Sequence, residues 1–422
     1  MRPSTRRRPA APLLLGLAAL LLAGTACRDG AAGGAGEGSP ASAADPRAAE
    51  HLDPPAAPGA LAPHLATDGE GFLLSWLEPM PEGRHRLRLA RLDGDAWSRP
   101  VTVAEGDRFF ANWADTPSVV AGRGGALLAH WLEKLGGGTY AYGVRVARSD
   151  DAGATWHDPG WLHADASATE HGFVSLVPTA AGFEAVWLDG RAMVDGGPMG
   201  LRWARLDAAG GAPEGEALLD ERVCDCCQTA AVATPAGLVV AYRDRSPEEV
   251  RDISVIRHVA GVWSPPQRVA ADGWTIYGCP VNGPALAADR DRVAVAWFTA
   301  ADGQPRVLAA LSGDAAATFS PPVTIDAAAP LGRVGVAPLA GGGAVVSWLA
   351  ADGAVRLRRL DEAGAVGEPS TVGRAGASRA GGVPRLAAAG DGLAVAWRET
   401  EGDGPGRLRL ARVPLAAVPG AP

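Results

Sequence analysis

Short apolar runs that end in a large aromatic residue recur along this chain, as in FLLSW ending at Trp76 and VAVAW ending at Trp297. Successive members of the set are 49 to 56 residues apart. The set is Trp76, Trp131, Trp187, Tyr242, Trp297, Trp348 and Trp397. A repeat of this length, built from short β-type runs, predicts radially arranged four-stranded sheets, because no unit can bury its apolar faces alone.

Each unit carries a short run before the aromatic, an alternating strand after it (LRLARLD to Asp93) and a closing strand (VTVA at 101). Period-two alternation bounded by Gly, Asp and Pro supports strands throughout. We therefore predict an all-β, seven-bladed β-propeller, with six blades as the fallback. The predicted blades are 61–104, 116–162, 172–220, 228–270, 283–325, 333–372 and 383–414.

The pattern gives seven inner triplets of strands but only six closing strands. A strand from before residue 61 would close the ring, although the prolines there make a poor strand. Alternatively, the last blade has three strands.

The N-terminal segment predicts export. Residues 1–27 combine four arginines, an apolar run and small residues before Cys27. This is typical of a lipoprotein signal peptide with lipid attachment at Cys27, and cleavage after Ala26 is the alternative. Residues 28–60 are rich in Gly, Ala and Pro and predict a flexible tether, followed by the propeller at 61–415. The expected location is the bacterial cell envelope, as a periplasmic or surface lipoprotein tethered to the membrane.

The net charge of −8 and the absence of a basic stripe argue against nucleic-acid binding. We expect a monomer.

One turn carries the pattern S-x-D-x-G-x-T-W, at Ser149, Asp151, Gly153, Thr155 and Trp156. A degraded copy begins at Ser312 with Ala316 in place of the glycine. The chain resembles the sialidase-like Asp-box (BNR repeat) propellers over roughly 61–415. The segments CDCCQT, YRDRS and GCPVNGPAL resemble an exported subgroup without an established activity. The resemblance implies that the boxes are structural and lie on the face opposite any active site.

Two kinds of link share the other face: those from the second to the third strand, and those from one blade to the next. Binding residues of propellers gather on such a face, around the central channel. Our candidates for ligand binding are Trp113, Asp115, Glu170, His171, Asp189, Arg191, Arg243, Asp244, Arg245 and Asn282.

Four cysteines fall on the same face. Cys224, Cys226 and Cys227 precede blade four and Cys279 precedes blade five. In an oxidising compartment, disulfides are the default. The rival interpretation is a copper or zinc site made by these thiolates with His163 or His171, and reactive thiols are a third.

A sialidase-type glycosidase would need three arginines, a tyrosine nucleophile and an aspartate acid. Tyr277 is the candidate nucleophile, with Asp115 or Asp165 as the acid, but the arginine–isoleucine–proline motif of sialidases is absent. We favour an exported, membrane-tethered propeller that binds a small polar ligand, glycan or metal, rather than an enzyme. The alternatives are a diverged sialidase-like exo-glycosidase and a disulfide-stapled protein-interaction scaffold.

Overall fold

The computed structural model describes residues 49–157, 160–207, 213–400 and 404–422. The signal peptide, Cys27 and the tether up to residue 48 lie outside the described residues. In the described part, no helix has the length and apolar character needed to cross a membrane.

The chain is a seven-bladed β-propeller, as the aromatic repeat predicted. One short strand, β1 (Glu50–His51), precedes the first blade. The strands of blades one to three are β2 (Leu61–Thr67), β3 (Phe72–Pro79), β4 (His85–Asp93), β5 (Ala96–Trp97), β6 (Val101–Gly106); β7 (Ser118–Ala121), β8 (Leu127–Lys134), β9 (Tyr142–Ser149), β10 (Gly160–Trp161); β11 (His171–Thr179), β12 (Gly182–Asp189), β13 (Gly200–Asp207) and β14 (Glu214–Asp220).

Blades four to seven continue the same antiparallel order from the inner strand outward. Their strands are β15 (Ala230–Thr234), β16 (Gly237–Arg243), β17 (Ile253–Val259), β18 (Val262–Trp263), β19 (Gln267–Arg268); β20 (Ala285–Asp289), β21 (Arg292–Thr299), β22 (Arg306–Ser312), β23 (Val323–Asp326); β24 (Gly332–Pro338), β25 (Ala344–Leu349), β26 (Ala354–Leu360), β27 (Ser370–Arg374); β28 (Arg385–Ala389), β29 (Gly392–Glu399) and β30 (Arg407–Pro414). Short 3-10 turns lie at Pro81–Gly83, Arg123–Gly125, Arg191–Asp195, Ala301–Gly303, Arg379–Gly381 and Leu415–Ala417.

The N-terminal strand closes the ring. β1 pairs antiparallel with β30, Glu50 opposite Arg412 and His51 opposite Ala411. Leu52 packs in the cluster that contains Trp76 of blade one. Residues 49–60, which we assigned to the tether, therefore contribute the outer strand of the last blade, and the three-strand alternative is wrong.

The core lies between adjacent blades, and the repeated aromatic residues fill it. Trp348 packs against Ala296 and Val307 of the preceding blade. Six of the seven repeated aromatics are at most 2% exposed. A buried indole N–H needs an acceptor, and Trp187 Nε1 donates to Asp189 Oδ2 at 2.9 Å.

The Asp-box turns lie between the third and fourth strands of blades two and five. Ser149 Oγ accepts from Gly153 N at 2.8 Å, and Asp151 Oδ1 accepts from Thr155 N at 2.8 Å. The degraded copy repeats both bonds from Ser312 and Asp314. The turns therefore satisfy their own amides, which suits a structural element.

The inner strands begin on the opposite side of the ring, which we call the loop-rich face. The blade-to-blade links that precede β7, β11, β15, β20 and β28 converge there, because all inner strands run in the same direction around the axis.

Candidate ligand-binding site and thiol cluster

A cavity of about 670 Å³, the rim cavity, opens on the loop-rich face. Links from blades one to four and from blade six supply its walls. The apolar lining includes Trp113, Tyr140, Phe173, Met193 and Val281, and the polar lining includes Glu170, Asp225, Cys226, Cys279 and Arg379. Tyr140 and Met193 are 62% and 42% exposed, so large apolar side chains face an open space.

A smaller cavity of about 230 Å³, the axial cavity, lies among the inner strands. Asp115, Thr229, Arg333 and Arg385 line it. Phe173 lines both cavities and so stands between them.

Tyr142, at the start of β9, links the two cavities. Its hydroxyl lies 3.0 Å from Asp115 Oδ2 and 2.6 Å from Glu170 Oε1. A phenol has one proton to donate, so it cannot donate fully to two carboxylates at once. The arrangement is satisfied when one of the two acids carries a proton.

Burial favours the protonated form of both acids. Burial raises the pKa of Asp115 to about 8, although the backbone N–H of Phe173 opposes the shift. Burial likewise raises the pKa of Glu170 to about 7, against the hydrogen bond from Tyr142. Glu170 therefore faces the rim cavity as a group that titrates near neutral pH.

Gly172 makes room for the Asp115 carboxyl. A Cβ at this position would lie 2.0 Å from Asp115 Oδ2. Only glycine allows β11 to approach so closely, which lets Phe173 N donate to Asp115 Oδ1 at 2.8 Å.

The two candidate histidines form a buried stack, with ring centroids 4.1 Å apart. His163 Nε2 accepts from Val144 N at 3.2 Å, and its Nδ1 lies 2.9 Å from the carbonyl of Asp165. His171 Nε2 lies 2.9 Å from Asp165 Oδ2. Burial lowers the pKa of His163 to about 4. Neither histidine joins a cysteine-containing donor group among the described residues, so we correct the expectation that they complete a thiolate metal site.

Asp189 and Arg191 serve the blade rather than a cavity. Asp189 accepts from Trp187 and from Arg191 Nε at 2.7 Å. Burial opposes ionisation, but the Arg191 hydrogen bond and the charge of His171 lower the pKa of Asp189 to about 2. Arg191 also pairs with Glu216. Neither residue lines the rim cavity.

Arg243 is caged by backbone carbonyls. Its guanidinium donates to Asn282 O at 2.8 Å, Phe298 O at 2.7 Å and Arg251 O at 2.6 Å, and it stacks on Trp274. The side chain is 1% exposed. It therefore ties loops together and does not reach a ligand, which corrects our expectation.

Asn282 is also a loop clamp. Its Oδ1 accepts from Arg333 N at 2.7 Å, and its Nδ2 donates to Leu331 O at 3.2 Å. The side chain joins the entries of blades five and six and does not line the rim cavity.

Asp244 and Arg245 lie beside this clamp. Asp244 Oδ2 accepts from Ser254 Oγ at 2.9 Å, and Arg245 Nη2 pairs with Glu249 at 2.7 Å. Neither lines either cavity. Both residues stabilise the link between the second and third strands of blade four, β16 and β17.

The proposed nucleophile is misplaced. Tyr277 is 86% exposed and lines neither cavity. Asp165 is occupied by His171 and by Ser167 within its own loop. Of the catalytic candidates, only Asp115 belongs to the tyrosine–carboxyl network.

The four thiols, which we call the thiol cluster, do meet. Cys224 Sγ lies 3.0 Å from Cys227 Sγ and 3.9 Å from Cys226 Sγ. Cys226 also lies within 4.8 Å of Cys279 and Asp225. Burial opposes ionisation of Cys224, but its contacts with the Cys226 and Cys227 thiols lower its pKa, and burial raises that of Cys227. Cys224 and Cys227 are buried, whereas Cys279 is exposed.

Sequence reasoning missed several lining residues. Tyr140 and Tyr142 were not among our candidates, although two tyrosines beside one link were a visible signal. Asp225 was part of CDCC, yet only its cysteines were weighed. Arg379 comes from the blade-six link, which carries no motif.

No protein-family model matches the chain, and no curated protein matches it. Solved structures do resemble it. A protein of unknown function from Dyadobacter fermentans has a TM-score of 0.52 at 14% identity, over 86% of this chain and 98% of that one. The polysaccharide lyase Uly1 has a TM-score of 0.53 at 10% identity, over 84% and 90%. The Penicillium chrysogenum α-L-arabinanase complexed with arabinobiose has a TM-score of 0.48 at 14% identity, over 88% and 99%. At these identities the likeness shows the fold, a β-propeller, and nothing about the site.

Proposed function

We propose that this protein is an exported, membrane-tethered propeller that binds an uncharged sugar in the rim cavity. The observation that carries the proposal is the cavity itself: aromatic walls at Trp113 and Tyr140 meet the carboxyl of Glu170 in a space of about 670 Å³.

Sugars present an apolar C–H face and a belt of hydroxyls. An exposed aromatic wall suits the first and hydrogen-bonding groups suit the second. Tyr140 offers such a wall at the mouth, and Glu170 offers an acid that changes between donor and acceptor near pH 7.

The charges of the lining favour an uncharged ligand. Arg379 is the one cation among the described lining residues, and it lies over the Trp113 ring at 5.8 Å. Asp225 is already 3.4 Å from Arg251. Tight binding of a carboxylated sugar would need several arginine forks, as in a sialidase, and the described lining offers Arg379 alone.

One observation supports a sialidase-like glycosidase. Tyr142 lies between Glu170 and Asp115, and such an enzyme uses a tyrosine together with carboxyl groups. Tyr142, however, is 1% exposed, and burial raises the pKa of its hydroxyl well above the ordinary value. A nucleophile must be accessible and activated, so we keep this alternative below sugar binding.

The test is a pair of tyrosine variants on an array of immobilised oligosaccharides. Tyr140→Ala should reduce binding at least about tenfold, because the loss of an aromatic wall that stacks on the ligand costs roughly 1.5–3 kcal/mol. Tyr277→Ala, which removes a more exposed tyrosine outside the cavity, should bind as the parent protein does. An array that the parent protein does not bind, or equal binding by both variants, would reject the proposal.

The tether is proposed from the sequence. Cys27→Ser should move the protein from the membrane fraction to the soluble fraction of the cell envelope. Retention in the membrane fraction would reject lipid attachment at this residue.

A further inference from the structure

The thiol cluster is not used by the proposed sugar site, although Cys226 and Cys279 line its rim. Three of its sulfurs converge in the interior: the Sγ atoms of Cys224, Cys226 and Cys227 all lie within 4.8 Å of one another. A disulfide gives each sulfur one partner, so oxidation would pair the nearest sulfurs, Cys224 with Cys227, and leave Cys226 to pair with the exposed Cys279. In the reduced protein, a three-coordinate ion would use all three converging sulfurs at once.

The separations suit one ion after a small adjustment. At a metal–sulfur bond of about 2.3 Å, two thiolates on the same ion lie roughly 3.8–4.0 Å apart. Cys224 and Cys226 are already 3.9 Å apart. Cys227 would move away from Cys224 by about 1 Å from the present 3.0 Å.

The surroundings supply positive charge. Arg251 Nη1 lies 3.4 Å from Cys224 Sγ, and its side chain is 4% exposed. Arg243 is buried, its hydrogen bonds go to carbonyls and its guanidinium stacks on Trp274, and within the described chain it forms no ion pair with a carboxylate. A buried guanidinium without a counter-ion is costly, and an anionic metal–thiolate group beside it would offset that cost.

The donor set selects the metal. Three thiolates without a fourth converging donor in the described residues make a poor tetrahedral zinc site, which needs four ligands when it is structural. Soft thiolates favour Cu(I). Cys279, exposed and near Cys226 alone of the three, would stand at the entrance.

We infer that Cys224, Cys226 and Cys227 form a trigonal Cu(I) site, with Cys279 as an entry thiol outside the bound set. The copper site does not depend on sugar binding being correct, although Cys226 also lines the rim cavity. Binding involves no oxidation or reduction, because the ion binds as Cu(I). Each of the three thiols releases one proton when it binds the metal.

The experiment uses the full chain, purified reduced and without oxygen, and titrated with Cu(I) held by a colorimetric chelator. We expect one Cu(I) per chain. Alkylation with iodoacetamide followed by peptide mass analysis should then show Cys224, Cys226 and Cys227 protected by copper and Cys279 still labelled. This readout needs no variant and therefore does not depend on the folding of one.

Two variants sharpen the result. Cys224→Ser should lower the copper retained against the chelator at least about tenfold, whereas the matched Cys279→Ser should retain one equivalent. Equal labelling of the three thiols with and without copper would overturn the site. So would failure of the reduced protein to take up Cu(I), or zinc displacing the copper.

Discussion

The two faces of this propeller treat their acidic residues in opposite ways. On the Asp-box face, hydrogen bonds from Thr155 lower the pKa of Asp151 to about 2. On the loop-rich face, burial raises the pKa of Asp115 to about 8 and that of Glu170 to about 7. At neutral pH, Asp151 is therefore ionised, whereas Asp115 is mainly protonated.

This difference in pKa distinguishes an acid with a structural role from acids that are candidates for a functional role. Asp151 accepts bonds from within its own turn and needs nothing more. Asp115 and Glu170 both contact the hydroxyl of Tyr142, and burial makes the ionisation of either carboxyl unfavourable. Perturbed acids of this kind gather at functional sites, so the comparison points to the loop-rich face.

The largest effect should come from the carbonyl cage of the loop-rich face. Arg243→Met would leave the carbonyls of Asn282, Phe298 and Arg251 without donors. We expect the free energy of unfolding, measured with urea, to fall by about 3–5 kcal/mol. Arg374→Met, with an exposed side chain on blade six, should change it by less than about 0.5 kcal/mol. Equal small losses would mean that the cage does not hold the loops.

Next in size, counted per pH unit, is the pH dependence of stability. Between about pH 4 and 8 folded Asp115 keeps a proton that the unfolded chain releases, because its pKa is raised from 3.8 to about 8. The free energy of unfolding should therefore fall as pH rises through this window, by at most about 1.4 kcal/mol per pH unit for this proton. Glu170 adds to the fall up to about pH 7.

Asp115→Asn keeps the acceptor for Phe173 N but cannot ionise. Urea unfolding of this variant at about pH 5, 6.5 and 8 should show a flatter profile than the parent protein. Asp151→Asn is the control from the other face: folded Asp151 has a lowered pKa, so its contribution is lost only below about pH 4, and the slope above that should not change. An unchanged slope in Asp115→Asn would mean that Asp115 is ionised in the folded protein.

The smallest effect concerns backbone geometry on the Asp-box face. Gly153 has φ +93°, and a Cβ there would lie 3.2 Å from Leu127 Cδ1. Gly153→Ala should reduce the free energy of unfolding by about 1–2 kcal/mol. Gly94→Ala, at φ +55° with open space around it, should cost less. Thermal unfolding compares the two, and equal costs would contradict a role for the Leu127 contact.

The fold was predictable because the repeat is a property of packing. Each of Trp76, Trp187 and Trp297 must fill the gap between two blades, so the aromatic and the apolar run before it recur with the blade. The closing strand was weak in sequence, because Glu50–His51 is only two residues long and prolines follow it.

The site was predictable to the level of a face and a set of links, but not to single residues. Arg243 and Asp189 look like ligand-binding residues in the sequence, yet both are fully hydrogen-bonded within the protein. Arg243 donates to backbone carbonyls, and Asp189 accepts from Trp187 and Arg191. Whether a charged side chain meets a ligand or a neighbour depends on loop conformation, which spacing does not encode. Tyr142 was missed because its partners, Asp115 and Glu170, lie in two other links, which only folding brings to its hydroxyl.

The rim cavity is the place where we propose that a sugar binds. The most direct measurement is calorimetric titration of the parent protein, Tyr140→Ala and Tyr277→Ala with the oligosaccharide that the array selects. We predict one site per chain, an affinity at least about tenfold weaker in Tyr140→Ala, and no change in Tyr277→Ala. Equal affinities in all three proteins would contradict it and place the ligand elsewhere on the propeller.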